Sequence, residues 1–246
     1  MTIATSHRDL ALRLLPLLDL TSLGEDDTST QIASLCAAAV SAHPGPAAIC
    51  VYPEHVTTAR HALGEGTIRV ATVVNFPDGD ARPERIHRET RRALAAGAQE
   101  IDMVFDYRAF LRGDVALARE GVVACREACG SDVALKLILE TGVLGDTSLI
   151  HHASRIGIDA GADFLKTSTG KVGVNATLPA AAAMLDAIEA AGERCGLKVS
   201  GGIRTLADAA PYLALVDSRM GPDWATPRHF RIGASALFSA LLAAIH

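Results

Sequence analysis

Four lysines stand in this chain, Lys136, Lys166, Lys171 and Lys198, against nineteen arginines. Most of the arginines fall in polar stretches that read as helix faces or loops, so solvation is left to arginine. The lysines are confined to a segment whose flanks are apolar or glycine-rich, and three lie in runs that read as buried strands: ALKLIL, DFLKTSTGK and LKVSGG. An ammonium group out of water is costly unless it is paired or deprotonated. Lysine can lose its proton inside a protein and arginine cannot. Lys166 and Lys198, on neighbouring predicted strands, therefore suggest an amine used as a nucleophile on a carbonyl. Such an amine must be neutral, whereas an ordinary lysine, with a pKa of about 10.4, is almost wholly protonated near neutral pH. Burial and a second ammonium close by both lower that value. Asp102, in EIDMVFDY, is placed to pair with the lysine that stays charged and to help move protons. The bland alternative is a buried aspartate–lysine ion pair without chemistry.

A second constellation suits a phosphate. TSTGK (167–171), SGGIR (200–204) and RIGAS (231–235) stand at the ends of the last three predicted strands. Glycines let backbone N–H groups approach anionic oxygens, and a helix N-terminus adds positive potential. The expected phosphate contacts are Gly170, Lys171, Gly201, Gly202, Gly233 and Ser235, with Lys171 and Ser235 as side-chain donors. TSTGK is not a nucleotide-binding P-loop, because Leu165 stands where the first glycine belongs and Val172 follows the lysine. The nine histidines all fall in predicted helices or loops, so no metal is expected. No GxGxxG follows a strand, so no dinucleotide is expected, and no cofactor of any kind is called for. Cys50 lacks a histidine partner and reads as lining rather than as a thiol nucleophile.

These residues need a scaffold that brings strand ends together. Short apolar runs alternate with helix-period segments along the chain, at 14–21, 47–53, 68–77, 100–107, 133–141, 163–168, 197–202 and 231–235. Near-continuous apolar strands separated by helices indicate a parallel sheet covered by helices. Eight such units in 246 residues indicate an α/β fold of a single (β/α)8 TIM barrel. One domain spanning 1–246 is expected, with a short N-terminal helical extension. Predicted helices at 84–97 and 146–160 close at a glycine just before the next strand, the usual helix stop and short loop. Barrel active sites lie at the C-terminal strand ends. Polar residues gather there: Asp19, Thr21, Cys50, Tyr52, Asn75, Asp102, Glu140, Lys166, Lys198 and Ser235. Strand alternation turns Asp102, Lys166 and Lys198 inward into one cavity. Lys136 should enter the same interior, paired with Glu140 or Asp102; Thr169 is a further lining residue.

A hydrophobic share of 49% is ample for a large core, and the net charge of −5 with no basic stripe speaks against nucleic acid. No run of about 18 uncharged apolar residues suggests a membrane span. Five cysteines, without a CxxC, fit a reducing, cytoplasmic setting.

The segments LLDLTSL, AICVYP, EIDMVFDYR, DFLKTSTGK, SGGIR and WATPRHFRIGASAL together resemble the deoxyribose-phosphate aldolase family over nearly the whole chain. The resemblance implies a metal-free, Schiff-base aldolase that cleaves 2-deoxy-D-ribose 5-phosphate to glyceraldehyde 3-phosphate and acetaldehyde. It puts the Schiff-base lysine at Lys166, the second lysine at Lys198 and the aspartate at Asp102. The partners expected are the sugar phosphate and acetaldehyde, with a homodimer as a further possibility and neither nucleic acid nor membrane. Two departures stand out. Ala236 occupies the place of a second serine in many relatives, and the chain ends at His246 where some relatives continue to a tail ending in tyrosine. The competing readings are an aldolase for another keto or aldehyde phosphate and a non-catalytic sugar-phosphate-binding barrel.

Overall fold

The structure, a computed structural model, describes residues 6–246. Eight parallel strands close into a barrel in chain order: β1 (Leu18–Ser22), β2 (Ala48–Val51), β3 (Arg69–Val74), β4 (Glu100–Val104), β5 (Ala134–Ile138), β6 (Phe164–Lys166), β7 (Gly196–Ser200) and β8 (Phe230–Ala234). β8 pairs with β1 through Asp19 and Gly233, which completes the closure. Among the described residues the α-helices, in order, are α1 (His7–Leu14), α2 (Ser29–Ser41), α3 (Val56–Leu63), α4 (Pro83–Ala95), α5 (Tyr107–Leu111), α6 (Val115–Cys129), α7 (Thr141–Leu144), α8 (Thr147–Asp159), α9 (Leu178–Ala190), α10 (Leu206–Met220) and α11 (Leu237–Ile245). The strands are almost wholly buried because helices cover their outer faces and side chains fill the interior.

Helix starts follow local chemistry. Asp114, Asp146, Thr177 and Thr205 each accept a backbone N–H at the head of α6, α8, α9 and α10. At Thr205 the bond is returned by Asp208, which makes a reciprocal cap. Gly97 and Gly161 follow the ends of α4 and α8 with positive φ, as their sequence positions predict. α1 packs against α10 and α11, and Arg13 grips Asp217 of α10 with two bonds of 2.6 and 2.5 Å.

Seven of the eight strands are shorter than their predicted runs, and two of them show why. Of the run 14–21, Leu14 ends α1 and Leu15–Leu17 form a 3-10 turn, so β1 begins only at Leu18. An apolar run with a proline at the second turn position suits a buried turn as well as a strand, and periodicity cannot separate them. The predicted strand at 100–107 stops at Val104, because the Asp106 carboxylate accepts the Ala109 N–H at 2.7 Å and opens α5.

The register fixes what meets inside. Asp102 stands beside Lys136, Lys166 beside Lys198, and Lys198 beside Arg231. β6 is only three residues long, and the irregular segment 167–177 that follows crosses the C-terminal face. Gly142 in α7 anchors this segment from beneath: a methyl group there would lie 1.9 Å from the Val174 carbonyl oxygen. Gly142→Ala is expected to destabilise the protein by about 1–3 kcal/mol, the usual cost of overpacking a tight site. A thermal melt several degrees below wild type would show it, and an unchanged melt would mean that the 167–177 segment yields freely.

Candidate active site

Asp102 lies in the middle of β4 with no surface exposed. Its two carboxylate oxygens accept three ammonium groups: Lys136 at 2.8 Å on Oδ1, and Lys166 at 2.8 Å and Lys198 at 2.7 Å on Oδ2. Lys198 also donates to Asp19 Oδ2 at 2.6 Å. Gly233 on β8 makes room for this lysine, since a Cβ there would sit 3.0 Å from Lys198 Cε. The role of Gly233 is therefore one of space, not of backbone conformation.

The three lysines differ in surroundings. Burial lowers the Lys166 pKa; Asp102 pulls the other way and Lys198 adds to the lowering, leaving it below the ordinary lysine value. Burial also works against the charge on Lys198, but Asp102 and Asp19 outweigh it and raise the pKa. Lys136 is buried too, and Asp102, Glu100 and Asp19 together raise it well above the ordinary range. Burial would raise the Asp102 carboxyl, yet Lys136, Lys166 and Lys198 hold it well below its usual value. Asp19 is likewise held low against burial by Lys198, Arg231 and Lys136.

A cavity of about 470 Å³ opens above this cluster at the C-terminal end of the barrel. Lys166 lies on its lining, as do all six predicted phosphate positions: Gly170, Lys171, Gly201, Gly202, Gly233 and Ser235. Gly201 and Gly202 both have positive φ, 87° and 80°, a turn that side chains resist. At Gly201 a Cβ would also strike Asn175 at 2.4 Å. Ser235 and Ala236 line the cavity immediately before α11 begins at Leu237. Lys171 donates to the Leu23 carbonyl at 2.8 Å and stands over the Tyr52 ring. Thr21 and Thr169 line the cavity; Thr169 donates to Glu140 at 2.5 Å and accepts the Lys171 N–H at 3.0 Å. Asp19, Cys50, Asp102, Lys136 and Lys198 lie beneath the lining, all without exposed surface. The Cys50 thiol is 4.0 Å from Asp102, and burial with the adjacent carboxylate keeps its pKa raised.

Of the two partners expected for Lys136, Asp102 is found and Glu140 is not; Glu100 is a third partner that was not expected. Glu140 lies past the end of β5 in a left-handed conformation, φ 54°, and its carboxylate turns to the Thr169 N–H and hydroxyl. Arg231 and Glu100 escaped the sequence reading. Arginine does more here than solvate the surface: Arg231 is 6% exposed and bonds to Asp19 at 2.5 Å and to Glu100 at 3.1 Å. The signal available was an arginine inside an apolar strand run, FRIGA. Arg204 and Asp27 also line the cavity and were not singled out.

The depressed carboxyls set an acid limit on stability. A carboxyl whose folded pKa lies below its unfolded value stabilises the protein above the unfolded pKa of about 3.9, and that contribution is lost progressively as pH falls through the folded value. Urea midpoints are therefore expected to fall steeply below about pH 4 as Asp102 and Asp19 take up protons. Asp102→Asn should be less stable at neutral pH by several kcal/mol, since it strips buried ammonium groups of their partner, and should lose less on acidification. Parallel wild-type and Asp102→Asn curves between pH 5 and 2 would defeat this assignment.

Comparison with known proteins agrees with the geometry. The chain is 50% identical over 236 residues to a deoxyribose-phosphate aldolase from Agrobacterium fabrum, covering 96% of this chain and 91% of that one. A deoxyribose phosphate aldolase from Aeropyrum pernix, described as tetrameric, superposes with a TM-score of 0.75 at 25% identity, covering 97% of this chain and 92% of that one. A structure from Toxoplasma gondii reaches a TM-score of 0.88 at 26% identity, covering 97% and 94%. A family model described as DeoC/LacD family aldolase matches residues 13–235, and the chain belongs to that family.

Proposed function

We propose that this protein is a class I deoxyribose-phosphate aldolase in which Lys166 forms the Schiff base. The observation that carries the reading is a single carboxylate oxygen, Asp102 Oδ2, shared by two lysine nitrogens at 2.8 and 2.7 Å, of which only Lys166 opens on the cavity. Two ammonium groups on one oxygen repel each other, so the arrangement favours one neutral amine and one charged one. The likeness to the A. fabrum enzyme supplies the substrate.

In this reading the Lys166 amine attacks C1 of the open-chain sugar aldehyde. The carbinolamine loses water to give an iminium, which draws electrons from the C2–C3 bond. The C3 hydroxyl gives up its proton to a water on the cavity floor beside Lys166, the C2–C3 bond breaks, and glyceraldehyde 3-phosphate leaves. The remaining enamine is protonated at its terminal carbon, and hydrolysis frees acetaldehyde and Lys166. Lys198, charged and held between Asp19 and Asp102, keeps the Lys166 pKa down and passes protons with Asp102. Cys50 and Thr21 close the sides of the reacting centre. The phosphate rests on the N–H groups around Gly170, Gly201, Gly202 and Gly233, on Ser235 and on the turn into α11, with Lys171 and Arg204 as cations at the rim. To reach it, Lys171 exchanges its bond to the Leu23 carbonyl for the phosphate. Binding so far from C1 holds the aldehyde against the amine and lowers the entropic cost of attack. Glu140 and Lys136 make no contact with substrate here: Glu140 fixes Thr169 and so the loop, and Lys136 supports Asp102.

The same reading takes the chain as one barrel domain with α1 as an N-terminal extension. It takes the protein as a cytoplasmic enzyme, in keeping with five free, buried cysteines. It also takes a homodimer as the assembly to test by light scattering, with the tetramer described for the A. pernix relative as the alternative.

Borohydride reduction with acetaldehyde, followed by peptide mapping, should place a two-carbon adduct on Lys166. An adduct elsewhere, or none, sinks the assignment. Lys198→Arg is expected to lose roughly 100-fold or more in turnover, within the range that general acid–base catalysis supplies. Its guanidinium cannot release a proton, and the space against Gly233 does not admit it. Near wild-type turnover in that variant would remove Lys198 from the proton path.

A further inference from the structure

Beneath the reacting amine lies a set of buried charges larger than the chemistry uses directly. Among the described residues it holds four cations, Lys136, Lys166, Lys198 and Arg231, and three carboxylates, Asp19, Glu100 and Asp102, linked by N–O distances of 3.6 Å or less. Lys136 reaches all three carboxylates, at 3.6, 2.7 and 2.8 Å. Arg231 holds Asp19 at 2.5 Å and Glu100 at 3.1 Å, and its Nε donates to the Pro227 carbonyl. Lys198 has two carboxylates, at 2.6 and 2.7 Å. Lys166 has one, through an oxygen that Lys198 already occupies.

With every amine protonated, this set carries one positive charge too many. An uncompensated buried charge is the costly state, and arginine cannot discharge it. The proton that leaves comes from the amine with the fewest carboxylate contacts. We propose that Arg231, seated on Glu100, is a positioning residue for the reaction: by occupying Asp19 and Glu100 with a permanent charge, it makes Lys166 the surplus amine and keeps it neutral. The proposal rests on Lys166 being the nucleophile.

The groups around Lys166 come from several strands. Asp102 from β4, Lys198 from β7 and Cys50 from β2 stand next to it; Asp19 from β1, Glu100 from β4, Lys136 from β5 and Arg231 from β8 are joined to it through Asp102 and Lys198. Cys50 keeps its proton, since burial raises its pKa. Glu140, just past β5, makes no ion pair within 4.0 Å among the described residues; it takes the Thr169 N–H and hydroxyl, and burial raises its pKa while those bonds and the more distant Lys166 oppose the rise. At the cavity mouth Lys171, Asp27 and Arg204 border solvent, which screens them. The opposite tendencies of Lys166, lowered, and of Lys136 and Lys198, raised, agree with this assignment.

The test is the acid limb of kcat/KM against pH, which reports the free enzyme. Arg231→Met leaves three cations against three carboxylates, so Lys166 should hold its proton. The limb is expected to rise by about one pH unit, the effect of a unit charge roughly 10 Å away at an effective dielectric constant of about 20, with about tenfold lower kcat/KM on the acid side. Glu100→Gln enlarges the surplus and should move the limb down by a similar amount. The double variant restores a surplus of one and should bring the limb back to its wild-type position. A purely structural role would reduce activity in all three without opposite shifts. A limb that stays put in both single variants, or moves the same way in both, overturns the proposal. If Arg231→Met does not fold, the lowered limb of Glu100→Gln and its return in the double variant decide the matter. Borohydride trapping on wild type and variants at plateau pH separates the two layers. An adduct on Lys166 with an unmoved limb defeats the role of Arg231 alone, whereas no wild-type adduct on Lys166 defeats the nucleophile assignment beneath it.

Discussion

Asp102 is the charge on which the barrel interior depends. Its carboxylate meets three lysine nitrogens at 2.7–2.8 Å with no exposure to solvent. Each of those lysines would be too costly to bury alone, and so would the carboxylate. Together they form a lattice in which removing any member strands the others. Such a lattice is a poor source of stability compared with an apolar core, because desolvation cancels most of the attraction. Its value lies in fixing which nitrogen holds a proton.

The barrel makes the lattice possible. Parallel strands in register place Asp102 beside Lys136, Lys166 beside Lys198, and Lys198 beside Arg231. Closure through β1 and β8 brings Asp19 to Lys198 from the far side of the chain. The same closure gathers the glycine turns after β6 and β7 and the end of β8, with Gly233 and Ser235, above Lys166, so that one cavity contains both an amine and a cradle for an anion. The amine is held by a strand, β6, whereas most of the cradle stands on the turns that follow β6 and β7.

Much of this was legible in the residues. The alternation of apolar runs and helical segments revealed the barrel, and charged residues set between apolar neighbours revealed the inward positions 102, 166 and 198. Element ends were less legible where an apolar run served a turn, as at Leu15–Leu17, or where a side chain took over the backbone, as at Asp106. Arg231 and Glu100 were hidden for another reason. Each sits at the lower end of its strand, where a charge is easily taken for a solvated flank, and only the closed barrel turns both inward.

The sequence by itself determined the kinds of groups available: lysines confined to buried strands, an aspartate among apolar neighbours, and glycines at strand ends. These follow from local rules of burial, alternation and backbone freedom. Tertiary structure alone decided the pairing, because partners such as Asp19 and Arg231 are separated by nearly the whole chain. It chose Asp102 over Glu140 for Lys136 and added Glu100, and it left Lys166 with one shared oxygen while its neighbours have two or three carboxylates. A proton's location depends on the sum of charges around it, and that sum exists only once the barrel has closed.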